Sequence, residues 1–321
     1  MPAIITHNTF GHEVYSTLYE FIGGSRDEAD AFLLGNQGPD PLFYAVANPR
    51  LASVNRLGSI MHDEHPTDLL VALKRSIATI AHADQPTARA YALGFLCHYL
   101  LDSTAHPFIF AQQFALCDAG VEGLTRENGS DVHALIESEL DELVLTCRRD
   151  ATIKTFNPAK CTLNASPHVL DVVSSMYAYT AREVYGMVVP ADTFKASVRA
   201  FRTVQALFYS PSGFKHNVLG RAETLVRPYS FYRAMSHRDV ERTTSGFDNR
   251  EHAAWENPYT GATSHLSFFE LFEQAKARAA TDLLAFDAPG FAHEQARAIT
   301  HDLNFSGEPT CAQIVAVENA K

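Results

Sequence analysis

His98, Asp102 and His106 recur at intervals of four inside YALGFLCHYLLDSTAHPFIF, residues 91 to 110. Four residues are about 400° of α-helix, so on a helix these three side chains stand nearly one above another. Leu93, Phe95, Leu96, Leu100 and Leu101 surround them, which predicts a buried helix with one polar stripe. A carboxylate and two imidazoles left unpaired there are costly, and a metal ion or a dense hydrogen-bond network removes the cost. Imidazole nitrogen and carboxylate oxygen without thiolate suit catalytic zinc, or manganese or iron. His133 and Glu137 repeat the spacing in DVHALIESELD, on a face shared with Leu140 and Val144. Pairs of this kind on two helices are how helical bundles hold metal clusters. His7 in ITHNTFG, Asp40 in GNQGPDPLFY and His62 in MHDEHP complete the candidate ligands.

The elements that must position these groups are helical throughout. Helices are expected after His7 as far as Gly23–Gly24, near Asp27 to Leu34, and over Asp68 to Ala83. The central helix is expected to stop at His106, because Pro107 follows it. The glycines and prolines of GNQGPDPLFY predict a loop, not a helix, that turns Asp40 inward. Asp131 is placed to cap the helix of His133 and Glu137, with Glu139, Asp141 and Glu142 on a solvated face. Residues 150 to 167 mark the best candidate boundary, followed by helices over Val169 to Tyr185 and Phe194 to Tyr209. Pro211 and Gly213 separate these from Lys215 to Ser230, and residues 230 to 264, with the lone Trp255, read as long loops. Helices over His265 to Leu284 and Phe291 to Leu303 precede a loose tail. Alternating valine and isoleucine is nearly absent. The class is therefore all-α: a multi-helix bundle with a metal cluster in its core and long irregular loops in the C-terminal half. We read residues 1–321 as a single all-α domain, with a metal-binding core over 1–150, helices and loops over 166–303 packed on it, and a tail over 304–321.

Composition bounds the function. The 321 residues are 46% apolar, enough for a sizeable core, and carry a net charge of −11. No run of lysine or arginine offers a grip on duplex nucleic acid. No stretch of about 20 apolar residues predicts a membrane span. The N-terminus lacks the charged head and apolar run of a signal peptide, and the five scattered cysteines read as free thiols, so a cytoplasmic location is expected. Cys97 adjoins His98, but a helix neighbour points elsewhere, and it reads as a small core residue.

ITHNTFG, GNQGPDPLFY, the Met61–His62 pair, GFLCHYLLDSTAHPFI and DVHALIESELD, in this order and spacing, resemble the zinc-dependent phospholipase C family, related in design to the zinc-dependent single-strand nucleases. WENPYTG with LSFFELFEQA is similar, more faintly, to a C-terminal pattern of bacterial members. The resemblance implies two to three zinc ions. Asp40, His62, His98 and Asp102 would hold one; His106, His133 and Glu137 a second; His7 and the bridging Asp102 a third. In the secreted phospholipases an N-terminal tryptophan supplies further ligands to that third ion. Here six residues precede His7 and none is tryptophan, so the third site is expected to be short of ligands. The gap from Asp102 to His106 is shorter than in those enzymes and similar to that of other bacterial members. The activity implied is phosphodiester hydrolysis of phospholipase C type, with metal-activated water attacking in line and Asp40 as base or orienter. The substrate would be a lipid or nucleotide phosphodiester. Two alternatives stand beside it: a nuclease or nucleotidase on the same cluster, with Trp255 or Tyr259 as a base-stacking platform, and a non-catalytic metal-binding protein.

Overall fold

The computed structural model describes residues 3–47, 51, 54–120, 125–209 and 240–310. The fold is all-α, as the patterning predicts. Its helices are α1 (Ile4–Ile22), α2 (Arg26–Gly35), α3 (Leu57–Asp63), α4 (Pro66–Ile77), α5 (Gln85–Cys117), α6 (Gly129–Arg149), α7 (Pro158–Cys161), α8 (Pro167–Tyr185), α9 (Thr193–Phe208), α10 (Phe268–Asp287) and α11 (His293–Thr300). Among the described residues the only sheet is an antiparallel pair, β1 (Trp255–Glu256) and β2 (Thr263–Ser264). Residues 210–239, which hold Lys215 to Ser230, and the tail from 311 onward lie outside the described residues. Among the described residues no helix is long and apolar enough to cross a membrane.

Three local expectations are corrected. First, α5 does not stop at His106: it runs for 33 residues with Pro107 inside it. An interior proline removes a backbone donor and costs about 3 kcal/mol. Phe108 and Ile109, both buried beyond it, each contribute about 1.5–3 kcal/mol, so burial outweighs the break. Second, Asp40–Ala47 is a 3₁₀ helix. Pro39 and Pro41 suit a helix start, where their missing donors are not needed. Third, Glu139, Asp141 and Glu142 do not form a solvated face, since Asp141 and Glu142 are buried.

The chain divides into two compact units, each assembled from separate stretches. One comprises residues 1–9, 105–162 and 202–272; the other residues 10–104, 163–201 and 273–321.

In the first unit, Phe108 and Ile109 of α5 pack with Ile136, Leu140, Leu143 and Val144 of α6 and Phe268 and Leu271 of α10. The Asp141 carboxylate accepts bonds from the backbone N–H groups of Ile5 (3.0 Å) and Thr6 (2.8 Å) and from the Thr6 hydroxyl (2.6 Å). It thus satisfies donors that the first turn of α1 cannot pair within itself. Arg242 pairs with Glu139 at 2.9 Å and Glu142 at 3.0 Å, which ties the stretch from residue 240 onto α6.

In the second unit α4 packs on both α8 and α11. Arg89 of α5 makes two parallel bonds to the Asp287 carboxylate, at 2.9 and 2.8 Å, and donates to the Phe21 and Ile22 carbonyls at the end of α1. The hydroxyls of Tyr91 and Tyr177 are 2.8 Å apart, and Tyr177 donates to the Gly38 carbonyl at 2.8 Å. The turn ahead of Asp40 is therefore pinned from α5 and α8. Residues 304 to 310, expected in a loose tail, instead form a turn closed by a Leu303–Pro309 bridge, with Phe305 buried.

Candidate metal centre

In the second unit, α5 presents His98 and Asp102 to the 3₁₀ helix and α3. His98 Nε2 lies 3.1 Å from Asp102 Oδ2 and 3.9 Å from Asp40 Oδ1. His62 Nε2 lies 3.1 Å from Asp40 Oδ1. Ligand atoms of His62, His98 and Asp102 fall within 4.8 Å of one another. Each imidazole is oriented from behind: His62 Nδ1 is 2.7 Å from the Gly58 carbonyl and His98 Nδ1 is 3.2 Å from the Asn36 carbonyl. A carbonyl can only accept, so Nδ1 is assigned a proton and Nε2 is the atom left to face the carboxylates.

Gly38 makes this approach possible. Its φ is +48°, and a Cβ there would lie 2.5 Å from Cγ and 2.7 Å from Nε2 of the His98 ring. His98 has no exposed surface, so the ring has nowhere to retreat. The Asp40 carboxyl is pulled upward by burial, but His98 and His62 are among the groups that outweigh that and hold it below the usual carboxylate value.

In the first unit, His106 of α5 faces His133 and Glu137 of α6. Glu137 Oε1 is 3.4 Å from His106 Nε2 and 3.3 Å from His133 Nε2. The three supply ligand atoms within 4.8 Å of one another. His133 Nδ1 is 2.8 Å from Gln113 Oε1, which again leaves Nε2 facing inward. Burial alone would raise the Glu137 carboxyl; His133 and His106 are among the groups that carry it well below its usual range. Burial lowers His133, with Glu137 opposing, and so favours the neutral imidazole that a metal needs.

Both clusters share one feature that decides their chemistry. Imidazole Nε2 atoms and ionised oxygens face each other at 3.1–3.4 Å in buried and half-buried surroundings. A cation would take the place of the imidazole protons between them, and a set of imidazole and carboxylate donors without thiolate fits zinc. Each cluster thus brings together residues that the sequence analysis assigned to one ion, and each contains one of the two pairs at four-residue spacing. His7 is buried on α1. Cys97 is buried in the core, and burial pushes its thiol well above the ordinary value.

Several groups at the site were not legible beforehand. The Gly58 and Asn36 carbonyls leave no mark in a sequence. Gln113 had one available signal: it lies seven residues after His106, on the same side of α5. Phe305 gave none. Its ring centroid is 4.8 Å from that of His62 and 5.7 Å from that of His98. Trp255 is not a free platform: its indole donates to the Leu266 carbonyl at 3.0 Å and its ring packs on Phe108. Tyr259 lies edge-on to Phe110, 5.9 Å away, and Phe110 is 4.8 Å from the His133 ring.

No curated protein and no solved structure matches the chain. The family model described as zinc dependent phospholipase C matches residues 6–187, which include every candidate ligand. That match covers more than half of the 321 residues, and with two clusters of zinc-type donors inside it, the chain belongs to the zinc-dependent phospholipase C family.

Proposed function

We propose that the protein is a phosphodiester hydrolase of phospholipase C type, acting on a phospholipid. Asp40, His62, His98 and Asp102 would hold one zinc; His106, His133 and Glu137 would hold a second. His7 would be a ligand of a third ion, as the family resemblance implies. When bound, zinc supplies Lewis-acid activation of the phosphoryl group and of a water nucleophile. The chain's own groups do the rest. The carbonyls of Gly58 and Asn36 and the amide of Gln113 keep three imidazoles in the ligating tautomer. Asp40, ionised beside His62 and His98, orients the attacking water and accepts its proton. The observation that carries this reading is the convergence of imidazole Nε2 atoms and ionised carboxylates in both clusters.

A nuclease reading has one observation in its favour. Phe110 beside His133, with Tyr259 against it, offers aromatic surface next to the second cluster, where a base could stack. One screen separates the readings: phosphatidylcholine vesicles, single-stranded DNA and a chromogenic phosphodiester, each with EDTA and with zinc restored. Phosphatidylcholine cleavage that EDTA abolishes and zinc restores is expected. Cleavage of DNA alone selects the nuclease, and zinc binding without turnover of any substrate defeats the enzymatic reading.

A further inference from the structure

We infer that Phe305, on a turn outside the stretch that matches the family, is a positioning residue for the zinc-ligand imidazoles of His62 and His98. The inference rests on the reading that these two histidines hold zinc. His62 sits at the end of α3, a helix of only seven residues. Its carbonyl is one of the last-turn acceptors that a helix cannot pair within itself. The Phe305 N–H donates to that carbonyl at 3.1 Å. The backbone bond thus fixes His62 from the chain side while the Nδ1 bond to Gly58 fixes it from the ring side.

The phenyl ring completes the restraint. It packs on the His62 ring at 4.8 Å and 55°, and on the His98 ring at 5.7 Å and 47°. It is 1% exposed, so neither imidazole can swing into the space it fills. The ring itself is held edge-on by Tyr99 at 5.0 Å and Phe95 at 6.0 Å.

The turn behind it is built independently of the histidines. Asn304 Oδ1 accepts from the N–H groups of Ser306 (2.9 Å) and Glu308 (3.0 Å). The Tyr99 hydroxyl is 3.1 Å from the Thr300 carbonyl and 2.8 Å from that of Leu303. Thr67 donates to Asp302 at 2.7 Å. A rigid turn, a buried ring and a backbone bond therefore converge on two ligands that the family-matched stretch supplies.

The test is zinc affinity by competition with a chromogenic chelator, together with the visible absorption spectrum of the cobalt-substituted protein. Phe305→Ala is expected to weaken one zinc by 10–100-fold, as loss of a ligand-orienting partner typically does, and to alter the cobalt bands. Phe305→Leu keeps the backbone bond and most of the volume and is expected to recover most of the affinity. Asp287→Asn, which loosens the same unit away from the ligands, is expected to keep the wild-type affinity and spectrum. Folded Phe305→Ala with wild-type affinity and spectrum overturns the inference, as does equal weakening by Asp287→Asn. Should Phe305→Ala not fold, Phe305→Leu is expected to shift the cobalt bands, and an unchanged spectrum overturns the inference. A wild-type protein that binds no zinc, or a His98→Ala variant that keeps all of it, overturns the zinc reading first.

Discussion

Replacing Gly38 by alanine should disable one metal site through a single methyl group. The position has φ +48°, which costs an L-residue about 1–2 kcal/mol. The added Cβ would stand 2.5 Å from His98 Cγ, where carbon atoms settle at about 3.5–4.0 Å, so the ring or the turn must move by about 1 Å. The ring is fully buried and the turn is held by the Tyr177 hydroxyl, so the shift strains both. Overpacking of this kind adds about 1–3 kcal/mol, for a total loss near 3 kcal/mol. Metal–ligand distances tolerate about 0.2 Å, so a 1 Å displacement should weaken that zinc by at least about 100-fold. Gly186→Ala is the control: φ is +65°, but nothing lies within 4 Å of its Cβ, so it carries the backbone cost alone. Urea unfolding and zinc titration of the two variants decide the matter. Both should lose stability, Gly38→Ala more, and only Gly38→Ala should lose one zinc while keeping the other. Wild-type zinc affinity in Gly38→Ala would refute the steric reasoning.

Other perturbations test the frame around the ligands. Asp141→Ala strips three buried bonds from the start of α1 and should cost about 2–3 kcal/mol in urea unfolding; a change below 0.5 kcal/mol, roughly the level of an unremarkable surface substitution, would contradict the capping role. Asp287→Asn should cost about 2 kcal/mol at pH 7 through its bonds to Arg89 and Lys74. Burial pulls the Asp287 carboxyl up, but Arg89 and Lys74 outweigh it and leave it below its usual value. A folded value below the unfolded one means that the stabilisation is complete above about pH 4 and is lost as pH falls through the folded value. The gap between wild type and Asp287→Asn should therefore close in acid; a gap that widens there would reverse the assigned sign.

The all-α class and the ligand pairs were legible because both are periodic. His98 with Asp102, and His133 with Glu137, meet as their four-residue spacing requires. Local rules failed where packing decides. Pro107 reads as a stop, yet the buried Phe108 and Ile109 keep α5 going. Asp141 reads as surface among its acidic neighbours, yet it reaches α1 across 136 residues of sequence, and no local pattern encodes that partner. Phe305 has no local signature for the same reason: its neighbours in sequence are polar turn formers, and its partners His62 and His98 lie far upstream.

Elemental analysis of the purified protein, compared with His98→Ala and His133→Ala, tests the metal clusters most directly. Zinc should be present in the wild-type protein, and each substitution should remove one ion while the other cluster keeps its own. A folded wild-type protein without zinc, or one whose zinc content neither substitution changes, would contradict the account.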